Sequence, residues 1–342
     1  MHHAEHIIRL LIHGSGKKGI LKMKITSMII MGLITLSCNK DETTLPDLTF
    51  MLRLPDTGQS VSYTATPGED SDILTNNPSY TDNNDGTVTD NITGLMWQKT
   101  DGGEMTFEEA TVYIDTLSLG GYSDWRLPTG FELFGLNSYD KVNPALNTSY
   151  FMVTGAEYWW TSEKRVDDNS MVWVVNGGGG IGAHPKSETI SAGGTRRFHT
   201  RAVRRPGNLT IPVSHFKDIG DGTIYDFYTG LTWQKLHPAE TMSWEEALNY
   251  ASGLSLAGKT DWRLPDVKEL QSLNDPRLYK PSFNKTYFSN SLSGNFWSST
   301  TQVNSTIKAW DINIDYGIVS YNEKTVSEYV LCVRGGLDEK KK

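Results

Sequence analysis

The pentapeptide D-W-R-L-P occurs at residues 124–128 and returns unchanged at residues 261–265, 137 positions later. In each copy the next residue, Thr129 or Asp266, is one that commonly caps a helix, and a glutamate stands three positions further on. In such a capping box each of the two residues accepts a hydrogen bond from the other's backbone N–H. The chain is therefore a tandem repeat in which a helix begins directly after D-W-R-L-P.

The capping pattern occurs a second time in each copy, upstream of the pentapeptide. Apolar residues follow it at helical spacing, as in Phe107, Ala110 and Ile114. The sequence thus predicts two short helices per copy. The four predicted boxes are Thr106 with Glu109, Thr129 with Glu132, Ser243 with Glu246 and Asp266 with Glu269.

Strand patterns surround the helices in both copies. T-G-L-x-W-Q-K precedes them, at residues 93–99 and 229–235, and short β-prone segments follow them. Each copy has about 125 residues, which is long enough to bury a core of its own. We predict two separate domains of the same topology, at 79–207 and 214–338. Residues 39–78, rich in Pro, Thr, Ser and Asp, predict an extended linker.

Charge and cysteine content exclude several classes of function. The net charge is −8 and the isoelectric point is near 5.5, so attraction to nucleic acid is not favoured. The chain has two cysteines, Cys38 and Cys332, too few for a disulfide framework or a cysteine-based zinc site.

Residues 1–38 read as a signal region whose true start is predicted at Met23. A lysine follows Met23, an apolar run leads to Leu36, and Ser37 precedes Cys38. This run is too short to span a bilayer. The segment resembles the lipobox of bacterial lipoproteins, although Thr35 stands where leucine is usual. The resemblance implies a lipid on Cys38 and a place on the outer membrane, exposed at the surface. A plain signal peptide is the alternative.

Each copy opens with D-x-x-D-G-T, at residues 82–87 and 218–223. An Asp-Gly pair between β-prone residues is typical of a tight hairpin turn. The carboxylates also leave open a calcium loop, although the spacing is not that of an EF-hand. Calcium is the one cofactor we consider. The candidate ligands are Asp82, Asp85, Asp90, Asp218, Asp221 and Asp226.

The first copy ends in a basic run that the second lacks. If Arg197 and Arg201 share one face of a strand, with Arg196 beside them, they could hold sulfate or carboxylate groups of a glycan. Trp160 and Trp173 would offer faces for sugar stacking. The alternative is a solvated edge strand that its charge protects from aggregation.

The ordered series D-G-T, T-G-L-x-W-Q, W-x-E-A, D-W-R-L-P and W-[ST]-S resembles a bacterial family of unknown function, the Lcl C-terminal domain, named after the end domain of a collagen-like adhesin. That family is grouped with the C-type-lectin-like superfamily. The resemblance implies an α+β fold, with two helices in each domain packed on mostly antiparallel sheets with long loops. The calcium-and-sugar motifs of animal lectins are missing here, as are the paired cysteines of formylglycine-generating enzymes.

Two classes of function remain. The first is a surface binding module or adhesin for an extracellular glycan or a host or matrix ligand, in contact with the membrane through its lipid anchor only. The second is an extracellular glycan-acting hydrolase or modifying enzyme, which needs two carboxyls roughly 5 to 10 Å apart across a cleft. We expect the binding module, with no catalytic residue. The acids that the second class would use are Asp124, Glu132, Asp261 and Glu269.

We predict that Cys38→Ala releases the protein from the membrane fraction, because the thiol that carries the lipid is lost. Fractionation followed by immunoblotting measures this. Ser37→Ala, which keeps the cysteine, should remain in the membrane fraction. Retention of Cys38→Ala in that fraction would contradict the prediction.

Overall fold

The computed structural model describes residues 53–73, 75–190, 198–205, 215–288 and 293–336. The fold is α+β, with short helices and mostly antiparallel strands. Within these ranges no helix is long and apolar enough to cross a bilayer. The first repeat contains β1 (Tyr80–Asp82), β2 (Thr87–Asp90), β3 (Met96–Gln98), α1 (Phe107–Asp115), α2 (Gly130–Gly135), β4 (Tyr158–Arg165), β5 (Asp168–Asn176), β6 (Ile181–Pro185), β7 (Phe198–His199) and β8 (Val203–Arg204).

The second repeat has the same order of elements, except for a counterpart of β7. It contains β9 (Phe216–Asp218), β10 (Thr223–Asp226), β11 (Thr232–Gln234), α3 (Trp244–Gly253), α4 (Val267–Gln271), β12 (Asn295–Thr301), β13 (Lys308–Asn313), β14 (Ile318–Glu323) and β15 (Val333–Arg334).

All four predicted helices are present, and each begins after its predicted capping residue. In every box the glutamate carboxylate accepts the backbone N–H of the capping residue, at distances between 2.8 and 3.0 Å. Carboxylates in a first turn are also stabilised by the helix dipole. The capping boxes therefore gave a correct prediction of helix positions.

In each repeat a small sheet joins the first three strands to the last strand. The first has the order β1-β2-β3-β8, and the second has the matching order β9-β10-β11-β15. In both, the last strand returns to pair antiparallel with the strand that carries the T-G-L-x-W-Q motif. The Asp-Gly segments form the predicted turns, and Gly86 adopts a φ of 88° that disfavours a residue with a side chain.

A third sheet runs through both repeats, in the order β12-β13-β14-β6-β5-β4-β7. The strands β6 and β14 are equivalent in the two copies, and they pair antiparallel at Ile181 and Val319. Helices α2 and α4, also equivalent, touch each other beside this junction. The two domains therefore meet around an approximate two-fold axis.

The hydrophobic interior also has parts that belong to one repeat and a part that both repeats share. One cluster belongs to the first repeat and one to the second, while a third includes residues of both. In the third cluster Tyr139 of the first repeat packs edge-on against Trp310 of the second, with ring centroids 5.2 Å apart. The domains have the same topology, as predicted, but they also share a core and a sheet that the repeat pattern did not indicate.

The arginine of D-W-R-L-P joins the pentapeptide to the helix after it. Arg126 makes two hydrogen bonds to Glu132, at 2.6 and 2.7 Å, and Arg263 makes two to Glu269, both at 2.6 Å. The aspartates of the two pentapeptides do not pair with these arginines, although each stands only two residues away. Their partners come from the last strand of each repeat and are Arg204 for Asp124 and Arg334 for Asp261.

Residues 53–73 and 75–76, which we call the strap, are folded onto both repeats. Leu54 belongs to the shared hydrophobic cluster. The side-chain amide of Gln59 donates to the carbonyl oxygen of Tyr139 in the first repeat and to that of Thr301 in the second, at 3.1 and 2.5 Å. This part is a packed element rather than the extended linker that its composition predicts. Residues 39–52 lie outside the described ranges.

Lys268 joins the strap to both repeats. Its side chain is 2% exposed. The ammonium donates to the carbonyl oxygens of Asp56 in the strap and Gly135 at the end of α2, at 2.8 and 2.9 Å. Burial lowers the pKa of Lys268 to about 8, while neighbouring carboxylates, Asp266 first among them, oppose that shift. One side chain thus holds three separate segments together.

We predict that Lys268→Met lowers the free energy of unfolding by about 2–4 kcal/mol, because two carbonyl oxygens lose a charged donor. Urea denaturation measures the change. The matched control Lys285→Met alters an exposed lysine and should change stability by less than about 0.5 kcal/mol. If both variants lose the same stability, Lys268 does not hold the strap.

Candidate ligand-binding site

The basic face predicted at the end of the first repeat does not reach the surface at Arg201. Its side chain is 1% exposed, and the guanidinium donates to three backbone carbonyl oxygens at 2.7–2.9 Å. Arg201 therefore binds the protein's own interior, and its prediction as a glycan ligand is wrong. Arg196 and Arg197 lie outside the described ranges. The three carbonyls belong to Gln98, Lys99 and Met152.

The two tryptophans predicted to stack on sugar are also interior residues. Trp160 is fully buried, donates its indole N–H to the carbonyl oxygen of Met105, and stacks on Phe198 with centroids 4.8 Å apart. Trp173 is 5% exposed and belongs to the core shared by the two repeats. Neither ring presents a face to a ligand, so these two predictions are wrong as well.

The aspartates considered as calcium ligands serve turns and ion pairs. Asp85 accepts the backbone N–H and the hydroxyl of Thr87, Asp82 pairs with Lys99, and Asp90 accepts hydrogen bonds within its own turn. No group of three or more His, Cys, Asp or Glu in the described part of the chain is arranged to hold a metal ion. The second copy repeats the contacts through Asp218, Asp221 and Asp226.

The acids considered for glycan hydrolysis are likewise engaged. Glu132 and Glu269 each serve both a capping box and a two-point contact with an arginine. Asp124 and Asp261 each accept two hydrogen bonds from the last-strand arginine. These carboxylates hold the domains together, and the contacts occupy the oxygens that acid or base chemistry would need.

The structure instead shows a polar cavity of about 360 Å³ in the second repeat. It lies where the start of β12 and the end of β14 meet the segment that precedes β15. Backbone hydrogen bonds between Met242 and Glu328, at 2.9 and 3.0 Å, fix that segment. The cavity is lined by Thr241, Asn295, Asn322, Val326, Ser327, Glu328 and Tyr329.

Two carboxyls are linked at the base of this cavity. The amide nitrogen of Asn322 donates to Glu328 Oε1 at 2.8 Å and to Asp311 Oδ2 at 3.1 Å, and Asn295 adds a weaker bond to Glu328 Oε1 at 3.4 Å. Glu328 lines the cavity, whereas Asp311, on β13, is fully buried.

Each of the two carboxyls has one oxygen without a partner. Glu328 Oε2 and Asp311 Oδ1 are buried and make no hydrogen bond within the described ranges. An unsatisfied buried acceptor costs about 1–3 kcal/mol. A ligand that donates to the carboxyl lining the cavity would recover part of that cost.

Burial, with the charge of Glu328 as a second cause, raises the pKa of Asp311 to about 8. Burial also raises the pKa of Glu328 to about 7. Near neutral pH the pair therefore holds a proton in part of the molecules and not in the others. A carboxyl of this kind can donate to a sugar oxygen when protonated and accept from a hydroxyl or an ammonium when ionised.

The first repeat has no such pair at the equivalent place. At the 137-residue offset of the pentapeptides, Val174 stands where the second repeat has Asp311, and Tyr158 where it has Asn295. Phe198 takes the place of Glu328, because it makes the corresponding backbone contact, to Met105, and stacks on Tyr158 with centroids 4.9 Å apart. The two acids are thus specific to the second copy.

Sequence reasoning missed this site, although a signal existed. Val174 in the first copy corresponds to Asp311 in the second, and both stand next to apolar residues. Such a difference indicates a buried charge that the shared fold does not require. Glu328 carried no such signal, because it lies in the least similar part of the two copies.

Comparison with protein families matches the chain twice to one family model. A family model described as the Lcl C-terminal domain matches residues 86–204 and 222–334, so each repeat accounts for one match. Both matched ranges include a D-W-R-L-P motif. A comparison with curated proteins finds no match.

We predict that Asp311→Asn stabilises the protein at alkaline pH. In the unfolded chain this aspartate ionises near pH 4, but in the folded chain it keeps its proton up to about pH 8. The wild type therefore loses stability as pH rises between these values, on the order of 5 kcal/mol in all, at about 1.4 kcal/mol per pH unit.

Urea denaturation at several pH values should show the variant more stable than the wild type at pH 8, with the difference vanishing toward pH 4. Glu323→Gln, which removes an exposed acid from the adjoining strand, should show no such trend. If the free energy of unfolding varied with pH in the same way for the wild type and for Asp311→Asn, that result would contradict the raised pKa.

Proposed function

The chain belongs to the Lcl C-terminal domain family, and from that membership we propose that it is a surface-exposed binding module, an adhesin, whose ligand is a glycan. The observation that carries the proposal is the cavity of the second repeat. Its wall combines two amides, a carboxyl, two hydroxyls and the ring of Tyr329. Sites for small polar ligands need such a mixture, because an apolar face provides contact area and a few polar groups fix orientation.

The size of the cavity supports a ligand of one or two sugar units. Sites for small molecules are about 300–1,000 Å³ in volume, and this cavity, at about 360 Å³, is near the lower limit. A short segment of a longer glycan could therefore occupy it while the rest of the chain remains in solvent. Weak binding per site, multiplied by many copies on a surface, suits an adhesin.

We further propose that the domains are of the C-type-lectin-like class and that the protein is attached to the bacterial outer membrane through a lipid on Cys38. Support for the first comes from the order of two helices followed by a hairpin-rich sheet in each repeat. Support for the second comes from the signal region, which lies outside the described residues. Loops at one end of a rigid pair of domains would then face the surroundings.

The hydrolase alternative has less support. The four acids it requires are held by arginines, as described above, and Glu328 is the one carboxyl that lines the cavity. Asp311 is fully buried behind it. A second carboxyl able to touch a substrate is therefore missing from the described lining, and a binding role accounts for the same residues.

We predict that the full chain, solubilised in detergent, binds a defined set of glycans on an array and that Ser327→Trp abolishes this binding. Ser327 is exposed and lines the cavity, so the indole would fill the space without disturbing the core. Ser320→Trp places the same side chain at an exposed position of β14 outside the lining and should bind like the wild type. The array is read with and without calcium. Equal binding by both variants would remove the cavity from the proposal.

A further inference from the structure

The two carboxyls beneath the cavity have no cationic partner. Neither Asp311 nor Glu328 takes part in a salt bridge within the described ranges, and all the donors that reach them are neutral amides. Other buried acids of the described chain differ in their partners: Glu269 is paired with Arg263, whereas Asp70 accepts from the hydroxyls of Thr57 and Thr300. A buried carboxyl without a counter-charge is rare, because the desolvation of the charge is not compensated.

The nearby cations are engaged with other groups. Lys324, directly after β14, donates to the Thr301 hydroxyl at 2.8 Å and lies 3.7 Å from the centre of the Trp244 ring. Lys308 on β13 lies over the ring of Tyr321. His237 packs against Tyr329 with centroids 5.0 Å apart, and burial lowers the pKa of its imidazole, so it adds no charge near neutral pH.

We infer that the cavity selects a ligand carrying an ammonium group, namely an unacetylated amino sugar, whose positive charge serves as the counter-charge for Glu328. This inference rests on the proposed glycan-binding function and specifies its ligand class. An ammonium carries a positive charge, which a neutral hydroxyl lacks. Because Glu328 Oε2 is shielded from solvent, the ammonium acts on this carboxylate through its charge at the cavity wall.

Asp311 acts on this site as a positioning residue. It does not line the cavity, but it shares the Asn322 amide with Glu328 and so fixes the direction of the Glu328 carboxyl. Its proximity also raises the negative potential once both groups are ionised. Because the ligand's charge favours the ionised pair, binding near neutral pH should release protons.

The experiment compares three probes with the same pyranose ring: glucosamine, N-acetylglucosamine and glucose. Ligand-observed NMR titration of the full chain in detergent at neutral pH measures millimolar dissociation constants. We expect glucosamine to bind at least about tenfold more tightly than the other two, because it alone brings a positive charge to the unpaired carboxyl. Calorimetry in two buffers of different ionisation enthalpy should show proton release for glucosamine alone.

The matched variants are Glu328→Gln, which keeps the shape and removes the charge, and the exposed Glu323→Gln. The first should reduce the preference for glucosamine to about onefold, and the second should preserve it. Asp311→Asn, expected to be at least as stable as the wild type, should lower the preference and reduce the proton release. It serves as the second test if Glu328→Gln does not fold.

The possible outcomes separate the two claims. Equal binding of all three sugars, lost in Ser327→Trp, would overturn the ammonium preference and leave the glycan-binding function standing. A preference for glucosamine that persists in both Glu328→Gln and Asp311→Asn would also overturn it. Absence of binding by any sugar or array glycan would reject the function and the inference together.

Discussion

The contact on which each domain depends is the two-point hydrogen bond between the arginine of D-W-R-L-P and the glutamate of the following helix. The glutamate also caps that helix, and the backbone of the arginine pairs with the last strand. One ion pair therefore ties a strand-like segment, a helix start and the closing strand to each other. In the second repeat both partners are less than 10% exposed, so solvent screens the pair weakly.

Local patterns predicted the local structure well. The capping boxes, the Asp-Gly turns and the repeat itself involve residues close in sequence, so their geometry follows from spacing. Ion-pair partners did not follow from spacing. Asp124 stands two residues from Arg126 but pairs with Arg204, which the closing strand brings beside it. Arg126 is already bound at two points by Glu132. The strap was missed for a similar reason, since composition describes an isolated segment and not the surface it packs on.

The site shows where reasoning from charge fails. Arg201 was predicted as exposed because arginine usually is, yet three carbonyls and the planar guanidinium make it an interior residue. Conversely, Asp311 sits in a strand whose counterpart has Val174 at the equivalent position, and burial there raises the pKa of the acid. Differences between the two copies carry the functional information, whereas their shared motifs describe the scaffold.

The pairing of β6 with β14 determines which strand edge a single copy of this domain would leave uncovered. Each is the edge strand of its own half, and each is equivalent to the other, so the junction has the self-complementary geometry of a symmetric dimer. A chain with a single copy would expose that strand edge and would need a second molecule, or another element, to cover it. Joining two copies in one polypeptide makes the pairing of these two strand edges intramolecular. It also allows the two copies to differ, so that the second has the cavity with its acids while the first has aromatic residues at that place. Two identical subunits could not differ in this way.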